Sequence, residues 1–268
     1  MDKQRLDILL VSRDYFPSRE KASETIKAGV VFVNSICVKK PSAKVDIDAH
    51  IEIRSEILPY VSKGGLKLEK GIITFNLDFN NLIILDVGCS TGGFSDCALQ
   101  HGAAFIYGID VGTNQLNKNL QNHPKIKSIE NLHVKDLSAK HLDNKKMDGI
   151  VMDVSFISVT QTFLYILPFL KENGFVFILI KPQFELDSLS LNRQGIVQNP
   201  KSHTKAIQRV VATAQKTGLF LQAINYAPLM TYKKNIEYIA LFRLTSNGFF
   251  HDIENLVTQA FEAKKKMK

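Results

Sequence analysis

The sequence lacks the marks of several common protein classes. It has three cysteines in 268 residues, Cys37, Cys89 and Cys97, and no CxxC pair. That fits a reducing cytosol and argues against a disulfide framework or a cysteine-based zinc site, so no metal is expected. Long hydrophobic runs are also missing. The stretch FVFILI at 175–180 is among the longest, far short of the roughly 20 apolar residues that span a bilayer. The opening residues, MDKQRLDILLVSRD, mix acidic side chains with a short apolar run and do not read as a signal peptide. A soluble, cytoplasmic protein without a membrane partner is expected, its oligomeric state open between a monomer and a weak dimer.

Two nucleotide-binding signatures are absent as well. The stretch LDVGCSTGGFSD, 85–96, follows an apolar strand-like run and opens a helix-like pattern. It has no Lys after the second glycine, as a P-loop requires, and no GxGxxG. Its glycines fall at Gly88, Gly92 and Gly93. Gly88 permits a sharp turn, and Gly92–Gly93 open the helix with no side chain in the way of a ligand. Asp86 ends the strand, and a carboxylate there repels a phosphate but suits a cation. S-adenosylmethionine carries an ammonium and a sulfonium and no phosphate, so it is favoured over a dinucleotide.

What is present is charge and alternation. The chain has 34 Lys+Arg against 26 Asp+Glu, a formal net charge of +8, which favours a polyanion such as nucleic acid as partner, with a solvated surface as the plain alternative. Residues 1–44 hold nine Lys/Arg against five Asp/Glu, and 45–56 are net acidic. Here the pattern predicts a helix over 5–14, a helix over 19–28 with Ser18 as N-cap and Gly29 as stop, then strands at 30–34, 34–40 and 49–54. Pro59 and Gly64–Gly65 then indicate a linker. Three segments follow: a small α+β domain over 1–58, a linker over 59–63, and a larger domain over 64–268.

In the larger domain, strand-like runs at 82–87, 104–110, 126–131, 148–154 and 174–181 alternate with helix-like segments at 92–102, 113–123, 158–173 and 201–218. This predicts an α/β, doubly wound, mostly parallel, Rossmann-like sheet. The last strands, 221–227 and 236–244, have no helix between them and predict a closing hairpin. The tail EAKKKMK reads as a frayed helix end.

Ligands bind beyond the carboxyl ends of such strands. Asp110, at the end of the second strand, is placed to accept ribose hydroxyls. Asp136, near the end of the third, is a candidate acceptor for an adenine amine or a cap of the following turn. With Asp86, Gly88, Ser90, Thr91, Gly92, Gly93, Phe94, Val111 and Asp153 they form the expected cofactor set. The fourth strand runs into Asp153-Val-Ser-Phe, without the prolines of the loop common in amine methyltransferases, so amine methylation is disfavoured. Lys181 follows the fifth strand, Glu237 starts the last, and Lys67 precedes the sheet. Two lysines and two carboxylates can meet around an acceptor hydroxyl. Desolvation lowers a lysine pKa from about 10.4 and carboxylates raise it; the sequence leaves the outcome open, and with it whether Lys181 is a general base or an orienting group.

These residues carry a resemblance. The larger domain resembles the FtsJ-like ribose 2′-O-methyltransferases, whose Lys–Asp–Lys–Glu signature falls on Lys67, Asp153, Lys181 and Glu237. The segments SREKASETIKAGVVFVN and VKKPSAKV are similar to the alpha-L RNA-binding domain of ribosomal small-subunit protein four. Together with YVSKGGLKLEK, DVGCSTGGFSD, DVGTNQL, DVSFIS and KPQFE, the two resemble the TlyA family, whose members are known both as haemolysins and as rRNA (cytidine-2′-O)-methyltransferases. The loop before Glu237 reads TYKKNIE where that family carries glycines. The resemblance implies a catalytic Lys67, Asp153, Lys181 and Glu237, S-adenosylmethionine as cofactor, ribosomal RNA or subunits as partner, and RNA contacts through Arg5, Arg13, Arg19, Lys21, Lys27, Asn34, Lys39 and Lys40. A catalytically silent RNA-binding or assembly factor and a haemolysin are the alternatives, with a nicotinamide oxidoreductase more distant.

Overall fold

The computed structural model describes residues 2–16, 18–53 and 58–267. They divide into two compact units, Met1–Leu58 and Pro59–Lys268.

In the first unit, β1 (Lys3–Arg5) runs straight into α1 (Leu6–Ser12), followed by α2 (Arg19–Lys27), β2 (Val31–Val33), β3 (Ile36–Cys37), β4 (Lys44–Asp46) and β5 (Ile51–Ile53). Leu6, Leu9 and Leu10 lie one helical turn apart on α1 and pack with Ala22, Ile26, Val31, Val33 and Ile51 as a small core. Ser18 caps α2 by accepting the Lys21 backbone N–H, and Gly29, at φ +77°, stops it. β2 pairs antiparallel with β3 and β5. The strand expected over 49–54 is realised as β5, and residue 54 lies outside the described residues. The β1–β4 pair was not expected. Its strands are three residues long and carry no alternating apolar pattern, so their pairing is visible only in space.

The second unit begins with α3 (Gly64–Phe75), β6 (Ile83–Val87), α4 (Gly93–Gln100), β7 (Phe105–Ile109), α5 (Lys118–Gln121) and β8 (Ile126–Ile129). It continues with β9 (Met147–Met152), α6 (Phe163–Ile166), β10 (Leu170–Ile180), α7 (Pro182–Glu185), α8 (Pro200–Lys216), β11 (Phe220–Tyr226), β12 (Tyr238–Arg243) and α9 (Ile253–Lys265). The strands form one sheet in the order β11-β12-β10-β9-β6-β7-β8. β12 is antiparallel to both neighbours, while β10, β9, β6, β7 and β8 are parallel. Alternate residues feed two cores. Leu85, Val87, Tyr107, Ile109, Ile150 and Met152 lie in one, and Ile84, Ile106, Val151 and Phe177 in the other. The chain winds outward from β6 through β7 and β8 and then returns to β9. The switch point, and the crevice above it, therefore lies between β6 and β9.

Three local expectations are corrected. Residues 59–63 are not a loose linker: Tyr60 is buried, its hydroxyl donates to Glu69 at 2.7 Å, and the Val61 N–H donates to Asp96 at 2.7 Å. Gly64 and Gly65 open α3 instead of loosening the chain. The helix expected over 158–173 breaks into a 3-10 turn at 159–161, α6 and a second 3-10 turn at 167–169; Pro168, which has no N–H to donate and crowds the carbonyl four residues back, ends α6. β10 consequently starts at Leu170. Of the helix expected over 113–123, α5 keeps four residues.

Candidate active site

The crevice is shaped first by the β6–α4 turn. Gly88 has φ +79°, and a Cβ on it would stand 3.2 Å from the Asp153 carbonyl oxygen, so both backbone conformation and close approach require glycine there. Gly93 answers to packing: its Cβ would stand 2.2 Å from Ser62 Oγ, which presses the start of α4 against the start of α3. The pair Gly92–Gly93 thus serves helix packing as much as ligand approach. The Asp110 carboxylate ties the turn down. Its Oδ2 accepts the Ser90 N–H and its Oδ1 the Gly112 N–H, each at 2.8 Å, and both oxygens keep further acceptor capacity.

Above the sheet lie two contiguous cavities that share Gly88, Ser90, Asp153 and Ser155. One, of about 480 Å³, is mainly apolar; Asp110, Val111, Leu132, Val134 and Ile157 are among its walls. The other, of about 350 Å³, has a mixed lining with the more polar character of the two, and contains Lys67, Asp153, Lys181 and Glu237 together with Thr91, Gly93 and Phe94. α3 brings Lys67, the turn after β9 brings Asp153, the end of β10 brings Lys181, and the approach to β12 brings Glu237. Lys67 Nζ stands 2.7 Å from Glu237 Oε2 and 3.2 Å from Asp153 Oδ2. Lys181 Nζ lies 2.5 Å from Asp153 Oδ1 as a charge contact, and directs its hydrogen bond to Ser155 Oγ at 2.7 Å. Burial pulls the Lys67 pKa down, but the charges of Asp153 and Glu237 outweigh it, so the pKa is raised. Lys67 is a fixed cation holding two carboxylates in place.

Other expected residues are placed differently. Asp86 lines neither cavity. It is 1% exposed beneath the turn, its Oδ2 accepts the Ser95 hydroxyl at 2.7 Å, and burial pushes its pKa up to about 7. Its Oδ1 is buried without a hydrogen-bond partner. A direct charge attraction between Asp86 and a cationic ligand is therefore corrected to a buried support under the loop. Asp136 is exposed in the 3-10 turn 134–136 and lines neither cavity; Leu132, His133 and Val134 stand where it was expected. Gly92 also lines neither, since Leu116 and Leu120 occupy the space beside it.

In the first unit, several expected RNA contacts are occupied internally. Arg5 binds both oxygens of Asp7, at 3.0 and 2.8 Å, and Arg19 reaches the same carboxylate at 3.3 Å. The Arg5 hydrogen bonds hold the Asp7 pKa down to about 2, against the opposing effect of burial. Arg13 donates to the Ala49 carbonyl at 2.8 Å and also to that of Ile47, tying the end of α1 to the β4–β5 loop. Asn34 makes the β2–β3 turn at φ +48° and accepts the His50 N–H at 2.9 Å. Lys21, Lys27, Lys39 and Lys40 are exposed. Sequence reasoning passed over Ser62 and Lys63, which lay in the supposed linker, and Ser155, Phe156 and Asn235. Phe156 had a local signal that only coordinates reveal: an aromatic residue at φ +66°, 89% exposed, with its ring 5.4 Å from that of Phe184.

The cleft fits S-adenosylmethionine. The apolar cavity suits an adenine, Asp110 offers acceptors to ribose hydroxyls, and the Gly88 turn lets a ligand approach backbone.

Comparison with known proteins agrees. The FtsJ-like methyltransferase model matches residues 60–244, and the S4 domain model matches residues 4–51. Hemolysin A of Brachyspira hyodysenteriae is 38% identical over 238 residues, covering 89% of this chain and 99% of its own. The 16S/23S rRNA (cytidine-2′-O)-methyltransferase TlyA of Mycobacterium tuberculosis is 30% identical over 242 residues, 90% of each chain. A solved Streptococcus thermophilus structure named "Putative hemolysin" superposes with a TM-score of 0.79 at 34% identity, covering 99% of this chain and 98% of that one. The chain therefore belongs to the FtsJ-like methyltransferase family, in the branch that carries an S4 domain and whose relatives are named TlyA or hemolysin.

Proposed function

We propose that this methyltransferase modifies a ribose 2′-hydroxyl of ribosomal RNA, with cytidine as the nucleoside. The observation that carries the reading is the meeting of Lys67, Asp153, Lys181 and Glu237 in one cavity beside the cofactor cleft. When bound, S-adenosylmethionine supplies a methyl group on a sulfonium, already electrophilic and with a neutral leaving group. What remains for the chain is to align a hydroxyl and to receive its proton. Glu237 and Asp153, locked by Lys67, fix the floor of the cavity. Lys181, 8% exposed in its side chain and in contact with Asp153, orients the acceptor oxygen or, as the free amine, takes its proton. The RNA assignment draws on the S4 domain match and on the names of the relatives.

Incubation with labelled S-adenosylmethionine and undermethylated ribosomal subunits is expected to label RNA on a cytidine ribose, mapped by mass spectrometry. Label on a base, or none, refutes the reading. Lys181→Ala is expected to reduce transfer by at least about 10²-fold while cofactor binding persists. Lys181→Arg separates the two roles. Arginine keeps the charge but cannot be deprotonated, so substantial residual activity identifies an orienting group and its loss a general base.

A further inference from the structure

We propose that Lys63 and Lys234 clamp the phosphodiesters on either side of the acceptor ribose and so hold its 2′-hydroxyl in register. The inference rests on the ribose reading above and adds the residues that grip the chain.

Both lysines line the more polar cavity, Lys63 from the N-cap of α3 and Lys234 from the loop between β11 and β12, and both are exposed at its rim. Four lysines and two carboxylates line this cavity. The inner pair, Lys67 and Lys181, is matched by direct contacts to Asp153 and Glu237. A formal excess of two positive charges remains, carried by Lys63 and Lys234. S-adenosylmethionine bears a net positive charge and adds to that excess. A neutral acceptor leaves it uncompensated, and like charges gathered in a cleft oppose one another. A ribose within RNA has one phosphodiester on the carbon beside its 2′-hydroxyl and another on its 5′ side. It therefore brings two negative charges flanking a neutral reacting group. Lysine is a compact point charge on a flexible stem, which meets a phosphate oxygen without a fixed angle. The same segments hold the reacting groups: Lys63 lies four positions before Lys67, and Lys234 three before Glu237. Gripping the phosphates would bring the hydroxyl into register with the inner four residues.

The test uses the full chain and a labelled single-stranded RNA of about 12 nucleotides, alongside the same RNA with uncharged methylphosphonate linkages, read by fluorescence anisotropy. Lys63→Gln and Lys234→Gln are each expected to weaken binding of the phosphodiester RNA about tenfold and to lower the log–log salt slope by about one. Lys63→Arg and Lys234→Arg should retain binding, and the methylphosphonate RNA should bind wild type and glutamine variants alike. In the methylation assay the loss should fall on KM for the subunit more than on kcat, with affinity for S-adenosylmethionine changed less than about twofold. Unchanged affinity and salt slope in the double glutamine variant, or an equal loss with methylphosphonate RNA, overturns the clamp. A wild-type chain that shows the phosphate-dependent difference yet labels no RNA refutes ribose methylation while the clamp stands.

Discussion

Asp86 and His203 show how single buried groups couple this protein to pH. Burial raises the Asp86 pKa from 3.8 to about 7, so between those values the unfolded chain is ionised while the native one still holds a proton. Stability from this residue falls as pH rises through that window and levels above it. His203 acts with the opposite sign. It is fully buried, bonded through Nδ1 to the Tyr238 hydroxyl at 3.0 Å and through Nε2 to the Val197 carbonyl at 2.9 Å. Burial lowers its pKa from 6.5 to about 4, so stability is lost as pH falls through that range. Over the shared window the two slopes oppose. Asp86→Asn should therefore expose a loss of stability on acidification, and His203→Gln a gain, in urea melts between pH 5 and 7. Parallel curves for both variants and wild type would contradict the assignment.

At the scale of elements, α3 shows propensity and packing pulling in opposite directions. Gly71 lies inside this helix, where alanine is intrinsically better by about 1 kcal/mol. A Cβ at that position would stand 2.1 Å from the Phe177 ring on β10. Gly71→Ala is therefore expected to destabilise by about 1–3 kcal/mol as the overpacked ring is displaced, read as a lower thermal midpoint; a higher one would mean that propensity wins. Legibility at this scale followed the same division. β6, β7, β9 and β10 were readable because strands buried on both faces are continuous apolar runs. The four-residue α5 and the broken 158–173 segment were misread. Asn117 caps a single turn of α5, and Pro168 interrupts the second segment within an otherwise helical apolar period.

For the whole molecule, the placement of charge and core separates two tasks. Residues 1–58 hold ten Lys/Arg and nine Asp/Glu, so seven of the eight excess positive charges belong to residues 59–268. The first unit has its own core of Leu6, Leu10, Ile26 and Val31, and the second encloses the sheet between two cores. Among the described residues no helix is long and apolar enough to cross a membrane. A chain of residues 59–268 is expected to unfold in one cooperative transition and to bind S-adenosylmethionine like the full chain, while its affinity for ribosomal subunits drops. Failure of the shortened chain to fold, seen by calorimetry, would show that the units depend on each other.

The sequence by itself determined the alternation that builds the parallel sheet, the closing hairpin and the glycine turn at Gly88. Each is written in residue type and spacing, which local sterics and burial translate directly into structure. The tertiary structure alone decided the rest. It set Asp86 beneath the loop, turned Asp136 to solvent, occupied Arg5, Arg13 and Arg19 within their own domain, and brought Lys63 and Lys234 to the rim of the cavity. It also decided that two carboxylates outweigh burial at Lys67. The physical reason is common to all of these: side-chain direction, burial and the sum of charges at a point depend on segments distant in the chain, which no local pattern records.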